Sequence, residues 1–433
     1  MMALDSDTST PLLPDLGDPA ELLSDSGSGT HAPIRSNAHI HLPPNFSAFD
    51  TVSQAVGLAS EQGIEVLGVS NYYDYQVYRE FADEAKRFGI FPLYGLEIIT
   101  LIDDLRDRGI KINDPGNPGK FYLCGKGITQ FSPMNDEACD LLAVIRQNDS
   151  ERMAQMAEKL ASLFAAQGLE TGLNASAVKA RIARRHDSPA DTVYLQERHL
   201  AQAFQEVLFE RTSTSERGPL LDKLFGKAST ADADDAVGIQ GEIRSHLMKA
   251  GKAAFVPETF VGFDHAYKLI LALGGIPSYP TLADGNNPIC AFETPVSNLV
   301  EEIKSRGITA AEFIPIRNTP EVLSDYVREM RSAGLVVTAG TEHNTLDLIP
   351  LEPTCLNGSP IPDDIRAIFE EGVCVIAAHQ YLTLSGKPGF VDSSGVPNGD
   401  YESAEERIAS FAKLGAQVIQ RYRETFAHPN SQG

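Results

Sequence analysis

Two histidines, His39 and His41, stand two residues apart in the segment SNAHIH. Side chains alternate along a β-strand, so this spacing puts both imidazoles on one face. Two imidazoles aimed into one barrel mouth can hold a divalent ion. Other reactive or polar residues fall at or just past the ends of short apolar runs. They are Asn71 and Tyr72, Glu97, Tyr279, Glu342 and His343, and His379. Arg317, in FIPIRN, sits in the same kind of place and is a candidate anion contact. If a strand continues through Glu342 and His343, their side chains diverge; both serve one site only where the chain is already turning. His343 is then a ligand or a general acid/base. His379, in VIAAHQYL, has two readings: a satisfied buried histidine or a site base.

The elements that must position these residues read as alternating helices and short strands. Residues 51–62 have helical apolar spacing that stops at Gly63, and IEVLGVS follows as a buried strand. Residues 75–88 are again helical, followed by the strand-like IFPLYGLEI, and FYLCGKG at 121–127 is another strand. Residues 137–250 read almost wholly as helix, an insertion placed to form a wall or lid. Alternation then resumes through the predicted strands GGIPSYP, AAEFIPI, LVVTAGTEHN and VCVIAAHQ. Seven or eight such units fit a closed α/β barrel, a distorted (β/α)7-8 arrangement with its chemistry at the C-terminal strand ends. Residues 1–34, rich in Asp, Ser, Pro and Gly, read as a flexible acidic tail or a surface arm. The barrel occupies 35–433, with 346–433 as a C-terminal extension.

Composition limits the partners. The 433-residue chain is 42% hydrophobic and 22% charged, enough for a large packed core, and carries a formal net charge of -23. Such a charge repels nucleic-acid backbones, so the expected partner is a small molecule rather than nucleic acid. No apolar run is long enough for a membrane span, and the acidic N-terminus lacks a signal-peptide pattern, which predicts a cytoplasmic protein. Cys124, Cys139, Cys290, Cys355 and Cys374 include no CxxC pair and read as reduced thiols. No P-loop and no GxSxG elbow occurs. The oligomeric state is not readable from the sequence.

The order of these segments resembles that of the polymerase and histidinol phosphatase (PHP) family. SNAHIH followed by a helix and a strand ending in Ser-Asn-Tyr resembles the family's HxH and Thr-Asp-His motifs. PLYGLEI resembles Gly-x-Glu, LQERHLAQAF the basic segment of the helical insertion, GGIPSYP the Ala-His-Pro segment, and TAGTEHN the late Gly-Ser-Asp-x-His motif. The resemblance spans about 37–345. It implies a barrel, metal-dependent phosphoester hydrolysis, and His39, His41, Glu97 and Glu342 as metal ligands. It also implies that Arg198 or His199 contacts an anionic group of the substrate. Adjacent residues of a helix do not share a face, so one of the two is expected to reach the site.

The departures are equally specific. Tyr72, Tyr122 and Tyr279 stand where the family has histidines, and Asn71 where it has an aspartate. Tyrosine, with a pKa near ~10, is a poor ligand at neutral pH, so these positions read as substrate contacts. The losses leave one ligand set, which predicts a single Zn, Mn or Fe ion. Hydrolysis by a PHP-like phosphoesterase is the leading expectation. A single-metal lyase or isomerase acting on a carbohydrate-like compound, and a degenerate non-catalytic binding barrel, are the alternatives. His31, His186, His246, His265 and His428 read as surface residues.

Overall fold

The computed structural model describes residues 11–24 and 33–426. Within them seven strands form one sheet in chain order. They are β1 (Ser36–Ile40), β2 (Val66–Asn71), β3 (Phe91–Leu101), β4 (Lys120–Lys126), β5 (Ile276–Thr281), β6 (Ala310–Phe313) and β7 (Val336–Ala339). Neighbours are parallel except at β4, which runs antiparallel to both β3 and β5. This is the distortion of the barrel. An antiparallel pair needs no crossover helix, and β3 reaches β4 through residues 102–119, which carry one short helix.

Helices supply the outer layer. The six-residue α1 (Pro19–Ser24) precedes the barrel. Then α2 (Val52–Glu61) and α3 (Val77–Phe88) cross between the first three strands, and the short α4 (Asp103–Asp107) follows β3. The spacing of Tyr78, Phe81, Ala82 and Ala85 gives α3 one buried stripe, and Gly89 at φ 65° ends it. The insertion is helical as expected: α5 (Asp136–Ala166), α6 (Ala175–Arg185), α7 (Glu197–Arg211), α8 (Thr214–Phe225) and α9 (Ala236–Ile243), the last continuing as a π-helical turn at Arg244–Met248. It has its own apolar core around Met156, Phe164, Phe204 and Ile243. Chain and barrel rejoin through α10 (Phe263–Ala272), and α11 (Val296–Ser305) and α12 (Pro320–Ser332) cover the last crossovers.

The sheet curls until non-neighbouring strands meet inside it. His39 of β1 touches Glu312 of β6, and Lys126 of β4 touches Ser70 of β2 and Glu312. The seam between β7 and β1 is sealed by the chain beyond β7, where Glu342 N–H donates to His39 O and His41 N–H donates to Glu342 O, at 2.8 and 2.9 Å. Gly340 makes that seam possible, since a Cβ there would lie 2.4 Å from His39 Cβ.

One expectation needs correction and a second is narrowed. VCVIAAHQ is not a strand; it lies inside α13 (Asp363–Leu384). This helix lies between the N-terminal end of the barrel and α14 (Ala404–Phe426), so residues 372–381 are buried on every side and show no polar face. A short apolar run buried all round looks alike as strand or helix. The second bears on residues 1–34, read as a flexible tail or a surface arm, whose described part takes the form of an arm. Residues 11–24 form a packed arm in which Leu12, Leu13, Leu16 and Leu22 are buried, and Tyr381 donates to Gly17 O. Residues 1–10 of the expected tail, with His31 and His428, lie outside the described residues. No helix among the described residues is long and apolar enough to cross a membrane.

Candidate active site

The barrel mouth is built from β1 upward. β1 carries His39 inward, and His41 follows two residues later on the same face, 2% and 0% exposed. Their rings meet edge to face with centroids 5.0 Å apart. Glu97 comes from the middle of β3, one residue beyond the level at which β2 ends. His39 Nε2 and His41 Nε2 lie 3.4 Å apart, and Glu97 Oε2 lies 3.6 Å from the first and 3.3 Å from the second.

That triangle can be tested for a metal. Ligand atoms at ~2.0–2.1 Å from a tetrahedral ion are separated by roughly 3.3–3.4 Å. The three observed edges match this within a few tenths of an ångström. Glu97 Oε2 is buried and makes no hydrogen bond among the described residues. Burial also lowers the pKa of His41, favouring the neutral imidazole that a metal requires. His39 Nδ1 faces both carboxylate oxygens of Glu312 at 3.1 Å. A carboxylate behind a histidine fixes the tautomer that leaves Nε2 as a lone pair. Three electron-pair donors at this spacing fit one ion with an open side.

Glu312 escaped the sequence reading, as did Lys126. Glu312 is fully buried on β6, and Lys126 Nζ lies 2.5 Å from it. The Lys126 ammonium and the neighbouring His39 hold the Glu312 carboxyl below its ordinary range despite burial. The signal was present in the sequence: a carboxylate inside AAEFIPI and an ammonium inside FYLCGK are charges in strands that must be buried.

Glu342 is placed differently from the other three expected ligands. It belongs to neither of the ligand-atom groups that form in the barrel, His39–His41–Glu97 and His39–Cys124–Glu312. Its carboxylate is gripped by Arg317 through two bonds, one at 2.9 Å. Burial opposes ionisation there, but the Arg317 guanidinium wins and holds Glu342 down at about 2. Both Glu342 and His343 have left-handed backbones, φ 58° and 51°, so the chain does turn at this point. The turn carries His343 away from the cavity. Its Nδ1 meets Thr341 Oγ1 at 2.7 Å, its Nε2 meets Ile349 O at 2.9 Å, and its ring stacks on Phe49. With both nitrogens engaged it holds the loop rather than serving as an acid or base.

Glu97, but neither His39 nor His41, lines a cavity of about 490 Å³ between the barrel mouth and the insertion. Tyr72 and Tyr122 line it as expected, and Tyr72 stacks on His41 with ring centroids 5.2 Å apart. Arg317 and Arg198 line it too. Arg198, in the first turn of α7, donates to Asn344 Oδ1 at 3.3 Å, and Asn344 donates to Glu342 at 2.5 Å. Its neighbour His199 faces away: its Nδ1 accepts from Gln196 N–H as part of the helix cap, and its ring packs on Phe46. Tyr279 also lies outside the cavity. It is fully buried among Phe121 and Phe292, and its hydroxyl donates to Glu293 at 2.8 Å. On β5 its strand neighbour Pro280 faces the cavity instead. His379 sits at the other end of the barrel. Its Nε2 donates to Gly274 O just ahead of β5, and its Nδ1 accepts from Phe390 N–H. His186, His246 and His265 are half-buried and are not among the residues that line the cavity.

The insertion adds groups that no motif announced. Arg244, on the π-helical turn, lines the cavity beside Arg198, and its Nε is buried without a hydrogen bond among the described residues. Burial, reinforced by the Arg244 charge, brings Arg198 down to about 10. Asp149 of α5 also lines the cavity, and burial raises it to about 6 against the pull of Arg152.

Fold and site together define a distorted (β/α) barrel with a polar cavity at the strand C-termini, beneath a helical insertion. No family model matches the sequence, and no curated protein matches it. The structure is similar to that of a protein from Bifidobacterium adolescentis described as a metal-dependent phosphoesterase. The TM-score is 0.51 at 15% identity, over 78% of this chain and 96% of that one. A second similar structure is an amidohydrolase from Chromobacterium violaceum, solved with sulfate and no metal, with TM-score 0.49 and 17% identity over 77% of this chain and 96% of that one. At such identity the first likeness speaks for the fold.

Proposed function

We propose that this protein is a metal-dependent hydrolase acting on a small anionic substrate, a phosphoester in the leading case. The observation that carries the reading is the His39–His41–Glu97 triangle, with edges of 3.3 to 3.6 Å, whose Glu97 lines a cavity that also receives Arg198 and Arg244. A single Zn, Mn or Fe ion bound there would supply Lewis acidity and lower the pKa of a bound water. The chain's own groups do the rest. Arg198 and Arg244 repel one another, and an anion between them relieves that repulsion and satisfies the buried Arg244 Nε. Arg317 and Asn344 hold Glu342 ionised at the rim. Tyr72 and Tyr122 stay protonated, because burial raises both, and so donate hydrogen bonds to substrate oxygens.

The test is phosphate release from a panel of phosphoesters by zinc- or manganese-loaded protein. Release is expected with at least one small phosphomonoester. Arg244→Ala should weaken competitive inhibition by inorganic phosphate by roughly 10- to 100-fold, the worth of a charged hydrogen bond. Absence of release across the panel by metal-loaded, folded protein would set the hydrolase reading aside.

A further inference from the structure

His39 belongs to two ligand groups at once. One is the triangle with His41 and Glu97. The other joins His39 to Cys124 and Glu312, whose ligand atoms also lie within 4.8 Å of one another, all three residues buried. The second trio, with a thiolate, an imidazole and a carboxylate, has the composition of a zinc site. Yet a cation is already there. Lys126 Nζ lies 2.5 Å from Glu312 Oε2, and 3.3 Å from both Ala38 O and Ser70 Oγ. Those three acceptors match the three protons of an ammonium, so the lysine is fully satisfied inside the barrel.

We infer that Lys126 is a built-in cation that closes a second, thiolate-containing metal site at Cys124, Glu312 and His39, and so restricts His39 to the His39–His41–Glu97 site. The ammonium neutralises Glu312 as an ion would, and it repels any divalent ion from the same place. It also holds Glu312 where both oxygens face His39 Nδ1, which turns the Nε2 lone pair towards His41 and Glu97. Removing the positive charge opens the second site. The Cys124 proton would leave to solvent as the sulfur bonds the ion. This inference rests on the proposed metal reading of the triangle.

Cobalt(II) separates the possibilities, because a thiolate ligand adds a near-ultraviolet charge-transfer absorption that imidazole and carboxylate do not. The whole chain is titrated with cobalt alone, as wild type, Lys126→Met, and Lys126→Met with Cys124→Ser. Wild type should bind cobalt with visible bands and no thiolate band. Lys126→Met should gain the thiolate band, and Cys124→Ser should abolish it. A thiolate band in wild type overturns the inference without any substitution. So does a folded Lys126→Met protein that binds cobalt with no thiolate band, in which case the triangle reading stands. Wild type that takes up no cobalt overturns the triangle reading and this inference with it. Lys126→Gln offers a second neutral variant if Lys126→Met does not fold.

Discussion

Glu312 shows how a single buried charge organises the site. It is a negative charge at zero exposure, sharing one hydrogen-bonded unit with Lys126 and His39. Deleting one member of such a unit leaves the other charge buried and alone, which is the costly case. Glu312→Gln should therefore destabilise the fold by about 3–5 kcal/mol, read from urea unfolding at neutral pH. It should also weaken metal binding by roughly 10- to 100-fold, since His39 loses the group that fixes its tautomer. At this scale the sequence was partly legible. The i, i+2 spacing of His39 and His41 announced a shared face; Glu97 and Arg317 line the cavity, though Glu97 comes from mid-strand in β3 and Arg317 from the turn after β6. His343 and Tyr279 were not placed correctly, because their directions depend on a left-handed turn and on strand parity. Neither is visible in residue type.

Among the elements, α13 is the instructive one. Its apolar core VCVIAAHQ carries no 3.6-residue polar stripe, because α14 covers one side and the barrel floor the other. Gly415 permits that contact, since a Cβ there would lie 1.8 Å from Cys374 O. His379 is fixed within α13 as a neutral imidazole: its Nδ1 must accept from Phe390 N–H while its Nε2 donates to Gly274 O. Burial lowers its pKa from 6.5 to about 4. In the unfolded chain the ring takes a proton near pH 6.5; in the folded chain it does so only near pH 4. The unfolded state thus binds more protons between these values, and stability falls as pH falls through that window. The loss attributable to this ring is about 3 kcal/mol between pH 7 and pH 4. Comparison of urea midpoints at pH 7 and pH 4.5 should show a smaller acid loss in His379→Gln than in wild type. An equal loss would mean that other groups carry the acid sensitivity. Most of α5 to α9 was legible as helix, although SERGPLL, which lies inside α8, reads from its Gly-Pro as a turn; their relation to the cavity was not legible. That Arg244 meets Arg198 follows from how the insertion folds back, which periodicity cannot give.

On the scale of the whole molecule, the net charge of -23 contrasts with the cavity, whose lining matches six acidic residues with six basic ones. On the proposed reading, Arg198 and Arg244 would make local room for a small anion in a cavity whose other charges are balanced. The N-terminal arm belongs to this scale too. Its leucines extend the apolar layer that α13 and α14 form beneath the barrel. Leu16→Ala should cost about 2 kcal/mol or more if the arm packs as described, and close to nothing if the segment were a loose tail. Thermal or urea unfolding distinguishes the two, with no effect expected on metal content. The barrel itself was legible from alternating helices and short strands. The antiparallel β4 was not, because strand direction leaves no mark on a short apolar run such as FYLCGK.

In the proposed function, His39, His41 and Glu97 hold one ion on which activity depends. The most direct test is elemental analysis of protein purified without chelator and then loaded with zinc or manganese, wild type beside His41→Ala. About one ion per chain is expected in wild type. That ion should be lost together with activity in His41→Ala, whose circular dichroism should remain native. Full metal content and activity in a folded His41→Ala protein, or three tightly held ions in wild type, would contradict the proposed function.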